Sequence, residues 1–182
     1  SGIEVLNIRT STAGAAAVDA SKIAGLTSVN SNLGLGAVTV TNLAAGASAG
    51  VIGNGTVVTG GLNAGYVAAA TDATLNLSNG VNGGSVVVTG TGLKTLTVNS
   101  TGAANTIGAL TGAASTTSTT INATTGLTTG AVTNAGATLT IKGAGAVNLS
   151  TTALENTVTK VDASANTGGV TVKLGTAVTQ TV

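Results

Sequence analysis

Histidine, cysteine, proline, methionine, phenylalanine and tryptophan are all missing from this chain, and Tyr66 is its single aromatic residue. Without imidazole or thiolate, the usual zinc, copper and haem ligands are gone, as are a histidine-based triad and a thiolate nucleophile. Acid–base chemistry would fall to Glu4, Asp19, Asp72, Glu155 and Asp162, with Tyr66 or a lysine as partner. The closest carboxylates in sequence, Glu155 and Asp162, have no cleft motif around them. The chain is therefore expected not to be an enzyme.

Charge is equally scarce, at 6% of residues and a net charge of +1. The basic residues Arg9, Lys22, Lys94, Lys142, Lys160 and Lys173 are scattered, whereas a nucleic-acid surface needs a clustered basic stripe, and a base-stacking platform needs aromatics. No nucleic-acid partner is expected. No run approaches the roughly 18 uninterrupted apolar residues of a membrane helix, so no membrane span is expected. The absence of proline suits continuous ladders in which every backbone N–H donates.

What the chain has is 42% hydrophobic residues, rich in alanine and valine, interleaved with threonine, asparagine, serine and 28 glycines. That apolar fraction argues against disorder. Strand-period runs recur, among them Ile3–Ile8, Ala37–Thr41, Thr56–Thr59, Ala73–Leu77, Ser85–Thr89 and Leu93–Val98. The second half adds Thr119–Ile121, Ala137–Ile141, Ala146–Leu149 and Gly169–Leu174. In most of them apolar residues take every second position, as in a strand with one buried face. The alanine-rich stretches Ala13–Ala20 and Ala64–Ala73 are short and adjoin glycine, so at most a turn or two of helix is expected there.

Internal echoes accompany the runs. Gly2–Ile8 and Gly25–Ser31 each resemble Gly92–Val98, and Val18-Asp19-Ala20-Ser21 returns as Val161-Asp162-Ala163-Ser164. A chain so poor in large side chains can fill only a thin core. The expected fold is all-β, a parallel β-solenoid (β-helix) with irregular rungs of about 20 residues. Rungs of about 18–22 residues would give roughly eight to ten, and a rod some 40–50 Å long at about 4.8 Å per rung. The alternative is a β-sandwich, which also uses short strands. The near-absence of aromatics and the even spread of glycine and asparagine, both tolerant of positive φ at corners, favour the solenoid. Residues 1–182 read as one solenoid segment of a larger protein, in keeping with an opening Ser1-Gly2 that lacks methionine.

Thr-x-Thr pairs occur at Thr39/Thr41, Thr95/Thr97, Thr138/Thr140, Thr157/Thr159 and Thr179/Thr181. Aligned in successive rungs, they would order water and bind ice. Their uneven intervals argue against stacking, and threonine is in any case the best polar strand former. The glycine pairs Gly60-Gly61, Gly83-Gly84 and Gly168-Gly169 lack the downstream Gly-x-Asp of calcium-binding solenoid repeats. Asp19, Asp72 and Asp162 remain as calcium candidates, each needing backbone carbonyls as co-ligands. The competing role for Asp19 and Asp162 is a side-chain hydrogen bond within a local turn. Asn54-Gly55-Thr56, Asn76-Leu77-Ser78, Asn99-Ser100-Thr101 and Asn122-Ala123-Thr124 match the N-glycosylation pattern, a match expected by chance at this composition. No phosphate loop is present. Asp72 within a few residues of Tyr66 is thin support for a sugar-cleaving site.

Gly2–Ile8, Val18–Ser21, Leu93–Ser100 and Val161–Ser164 ahead of Gly168-Gly169-Val170-Thr171 together resemble a known type of sequence. They look like the β-strand-repeat regions of bacterial surface proteins exported by type I secretion, the S-layer proteins and RTX-type adhesins. The resemblance implies a parallel β-solenoid outside the cell, on the bacterial surface. It also implies a scaffold role, with lattice neighbours or further copies as partners and surface polysaccharide as another. Calcium drives assembly in that family, although its calcium-holding nonapeptide repeats are missing here. The expected function is thus a self-assembling structural module of an S-layer lattice, adhesin or filament. The alternatives are an ice-binding threonine-rich solenoid and a carbohydrate-active β-helix.

Overall fold

The computed structural model describes residues 2–176. Each turn of the chain contributes one strand to each of two sheets. The odd sheet contains β1 (Val5–Ile8), β3 (Ser28–Asn32), β5 (Ser48–Ile52), β7 (Asp72–Ser78), β9 (Thr95–Thr101), β11 (Ser118–Ala123), β13 (Thr138–Gly143) and β15 (Lys160–Asn166). The even sheet contains β2 (Ala16–Asp19), β4 (Val38–Leu43), β6 (Leu62–Tyr66), β8 (Ser85–Thr89), β10 (Asn105–Thr111), β12 (Leu127–Thr133), β14 (Val147–Leu149) and β16 (Val170–Val172). Strands pair in parallel with the strand two places along the chain. The fold is a parallel β-solenoid, and the antiparallel sandwich alternative is excluded by that pairing.

The rungs are longer and more variable than 18–22 residues. Ser28 lies opposite Ser48, and Ser48 lies opposite Thr74, so the repeat ranges from 20 to 26 residues. With eight strands per sheet, seven spacings of about 4.8 Å make a rod of about 34 Å, shorter than expected. Extra residues sit in the corners, where strand pairing does not limit length. Asn79 and Asn134 at corners, and Asn42 at the irregularity in β4, hold φ of 61°, 53° and 57°, the conformation their short polar side chains tolerate.

The core is a thin seam between the two sheets. The odd sheet contributes the column Val29–Ala49–Leu75–Val98–Ile121–Ile141, and the even sheet contributes Val38–Leu62–Val86–Leu110–Val132. Stacking like on like gives each side chain van der Waals contact above, below and across. Asn105, 1% exposed, satisfies its whole amide inside this seam. Its Oδ1 accepts from the Gly80 and Val81 N–H groups, and its Nδ2 donates to Leu77, Ser100 and Thr101. A buried amide is stable only when paired in this way.

A column of glycines runs along the even sheet: Gly14, Gly36, Gly60 and Gly84 just before their strands, then Gly108 and Gly130 inside β10 and β12. A Cβ on Gly36, Gly60, Gly84 or Gly130 would drive into the carbonyl oxygen of the glycine one rung before it. The rungs therefore approach there as closely as only glycine allows. This is the physical role of much of the glycine content.

One local expectation changes. Thr56–Thr59 is not a strand, because Asn54 Oδ1 captures the N–H groups of Thr56 and Val57 and the Thr56 hydroxyl, turning the chain outward and leaving Val58 66% exposed. The alanine-rich stretches hold no more helix than expected, one turn of 3-10 helix at Ala20–Lys22, and otherwise supply strand β2 and the end of β6. Ladder pairing overrides alanine's helix propensity there. Of the described residues, no helix is long and apolar enough to cross a membrane.

Candidate functional surface

The three candidate calcium ligands lie on separate strands. Asp19 ends β2, where its Oδ1 accepts from the Ser21 N–H at 3.1 Å, the Ser21 hydroxyl at 2.8 Å and Asn42 Nδ2 at 2.9 Å. These bonds, Asn42's first, hold its carboxyl below the usual aspartate range. Asp162 repeats the turn with Ser164, at 3.2 Å from the N–H and 2.7 Å from the hydroxyl, and pairs with Lys160 at 3.4 Å. Its pKa is lowered chiefly by Ser164. The twin Val-Asp-Ala-Ser segments thus share one device, a carboxylate closing its own turn. Asp72 opens β7 and accepts from the hydroxyls of Thr95 and Thr71, which lower its pKa. Among the described residues, no three acidic, histidine or cysteine side chains gather as a metal cluster.

The carboxylates Glu155 and Asp162 serve different partners. Glu155 Oε2 accepts from the Asn134 N–H at 2.7 Å, bracing a corner. Tyr66 and Asp72 also turn to separate tasks. The Tyr66 hydroxyl donates to the Ala47 carbonyl at 3.0 Å and lies 3.4 Å from that of Thr74, tying β6 to the odd sheet. Burial pushes its pKa up to about 12. An open groove beside it is lined by Val87, Gly90, Thr111, Ala113 and Asn134, with Tyr66 the sole titratable group in its wall.

The most ordered feature of the surface is the outward face of the odd sheet. Strand pairing stacks side chains of like type into three columns. The first runs Asp72–Thr95–Ser118–Thr138, the second Thr74–Thr97–Thr120–Thr140, and the third Asn76–Asn99–Asn122–Lys142. Two of the Thr-x-Thr pairs, Thr95/Thr97 and Thr138/Thr140, therefore do stack, contrary to expectation. Ser118/Thr120 fills the rung between them, and 23- and 20-residue steps absorb the uneven intervals. Thr39/Thr41 belongs to β4 on the other sheet, Thr157/Thr159 precedes β15, and Thr179/Thr181 lies outside the described residues.

The asparagine column is wired along its length. Asn122 Nδ2 donates to Asn99 Oδ1, and Asn99 Nδ2 donates to Asn76 Oδ1, each at 2.8 Å. Asn30 donates to Asn7 in the same way at 3.0 Å. Gly50 interrupts the column, and the Asn30 amide fills the space where its Cβ would stand. At the far end the next residue is Lys142, and Asn122 Oδ1 is buried with no donor. Three of the glycosylation-pattern asparagines, Asn76, Asn99 and Asn122, are these ladder residues. Their even 23-residue spacing is visible in the sequence and was the signal for the ladder.

No protein-family model, no curated protein and no solved structure matches this chain.

Proposed function

We propose that this chain is a structural module of a bacterial surface protein, acting outside the cell as part of an S-layer lattice, adhesin or filament. The observation that carries the reading is the continuity of the two parallel ladders through eight rungs each. Every rung is tied to the next by backbone bonds along both sheets, so tension is shared over many hydrogen bonds at once. The sequence resemblance to type I-secreted surface repeats supports the same role. The module is proposed as non-catalytic, its carboxylates closing turns, bracing corners or pairing with neighbours.

The terminal rungs of the described segment are where further rungs, whether of this protein or of a second copy, would attach. Among the described residues, strands β1 and β2 at one end, and β15 and β16 at the other, have a paired neighbour on one side only. Ile3 and Val5 are each 52% exposed beside β1. Open strand edges of this kind template further pairing, with added rungs, lattice neighbours or a second copy as the partners that suit them. Calcium enters this proposal through the resemblance alone.

Electron microscopy of the purified protein with and without calcium tests the reading. Sheets or filaments are the expected product. Monodisperse monomers under every condition would remove the assembly role.

A further inference from the structure

The odd sheet's outer face has a property that a rod does not require, namely hydroxyl groups on a two-dimensional grid. Its columns stand about 7 Å apart along the strands and its rungs about 4.8 Å apart. Within the grid, the hydroxyls of Thr74, Thr97, Ser118, Thr120, Thr138 and Thr140 make no side-chain hydrogen bond among the described residues, whereas those of Thr27, Thr117, Thr124 and Thr159 at the corners are bound to backbone carbonyls. We propose that this grid is an ice-binding surface, whose ligand is the ordered water at the face of an ice crystal.

Four features of the grid select that ligand. The register from β7 through β13 runs without a shift, and only a crystalline ligand rewards a spacing repeated in two directions. Charge stands at the margins alone, on Asp72 and Lys142 in the outer rungs, on Lys160 and Asp162 beyond β13, and on exposed Lys94 just outside the first column, so the interior suits a neutral lattice. Threonine is stiff at χ1, and the Asn76–Asn99–Asn122 ladder fixes the neighbouring column, so little freedom is lost when the face is occupied. Finally, the grid measures only about 14 Å by 14 Å between its outer columns and rungs. That is well short of the roughly 800 Å² per partner of a standard protein interface. A crystalline polysaccharide is less suited, because the one aromatic side chain, Tyr66, is buried and offers no platform for a sugar ring.

The test measures ice-crystal shaping, thermal hysteresis and enrichment in slowly growing ice for the whole chain. Thr97→Tyr and Thr120→Lys are compared with Thr106→Tyr, at an exposed position on the even sheet, with circular dichroism confirming that each variant keeps its β signal. The wild type and Thr106→Tyr are expected to shape crystals and concentrate in the ice, and both grid variants to lose these effects. Wild-type protein that neither shapes ice nor concentrates in it overturns the proposal. So does activity that survives both grid substitutions, or equal loss in Thr106→Tyr. Co-sedimentation with microcrystalline cellulose or chitin by a protein that leaves ice growth unchanged would reassign the face to polysaccharide. The inference is independent of the assembly reading, since ice activity is measured on monomer and assembly by imaging.

Discussion

The odd and even sheets have the same number of strands, the same parallel pairing and the same thin core between them, yet their outer faces differ. On the odd face like residues stack in straight columns from β7 to β13, and the register shifts only beyond Thr140 against β15. On the even face the column Thr39–Asn63–Val87–Thr111–Thr133 mixes amide, methyl and hydroxyl groups, and Gly65, Gly108 and Gly130 leave bare backbone. A register shift between Val40 and Leu43 breaks β4 against β6, and the buried Ile107 and Leu110 of β10 are three residues apart, so its alternation fails. The comparison teaches that the solenoid supplies the lattice spacing to both faces, while outward side chains decide whether a face is periodic. The even sheet's glycine column gives close rung contact at the cost of a regular face.

The largest effect should come from attacking that close contact. Gly60→Val places a branched side chain against the Gly36 carbonyl and is expected to cost about 3 kcal/mol or more, enough to unfold a marginal rod. Gly46→Ala meets no neighbouring atom and strains only φ, so urea melts of the two should differ widely. Equal melts would dissolve the distinction between a packed and an open glycine.

Next comes the buried Tyr66 phenol, whose ionised form burial disfavours. Because the Tyr66 pKa rises from 10.0 to about 12 on folding, its contribution is complete below pH 10. It is lost as pH rises toward 12, where the unfolded phenol ionises before the folded one. Two pKa units correspond to about 2–3 kcal/mol. Denaturation midpoints across this window should fall in the wild type, and fall less in Tyr66→Phe.

Smaller substitutions sharpen the contrast between faces. Asn99→Ala leaves the Asn122 donor and the Asn76 acceptor unpaired and should cost about 1–2 kcal/mol, whereas Asn63→Ala on the even face should stay within about 0.5 kcal/mol. The smallest effect is a gain. Lys142→Asn offers a donor to the orphaned Asn122 Oδ1 and should stabilise by about 0.5–1 kcal/mol, read as a raised melting temperature. No gain there would mean the ladder stops at Asn122 for want of room.

Much of the fold was legible because it rests on local alternation. Ser85–Thr89 and Ala137–Ile141 read as strands, since valine, leucine and isoleucine mark one face and threonine the other. β10 and β12 escaped notice, because buried Asn105 and Thr129 occupy inward positions that pattern reading assigns to apolar residues. Thr56–Thr59 misled for the opposite reason, having the composition of a strand while the Asn54 side chain takes the N–H groups of Thr56 and Val57. The Val-Asp-Ala-Ser turns were legible as an alternative to calcium ligation, since an aspartate two residues before a serine can close its own turn.

The sequence by itself determined an all-β chain with a thin core and no reagents for histidine or cysteine chemistry, because composition and alternation are properties of the chain alone. Only the tertiary structure decided which threonines share a column. Rungs of unequal length meet in register through their corners, and no fixed period in the sequence announces that meeting. The asparagine and glycine columns lie between these cases, written at intervals of 22 to 24 residues but given meaning only when rung is stacked on rung.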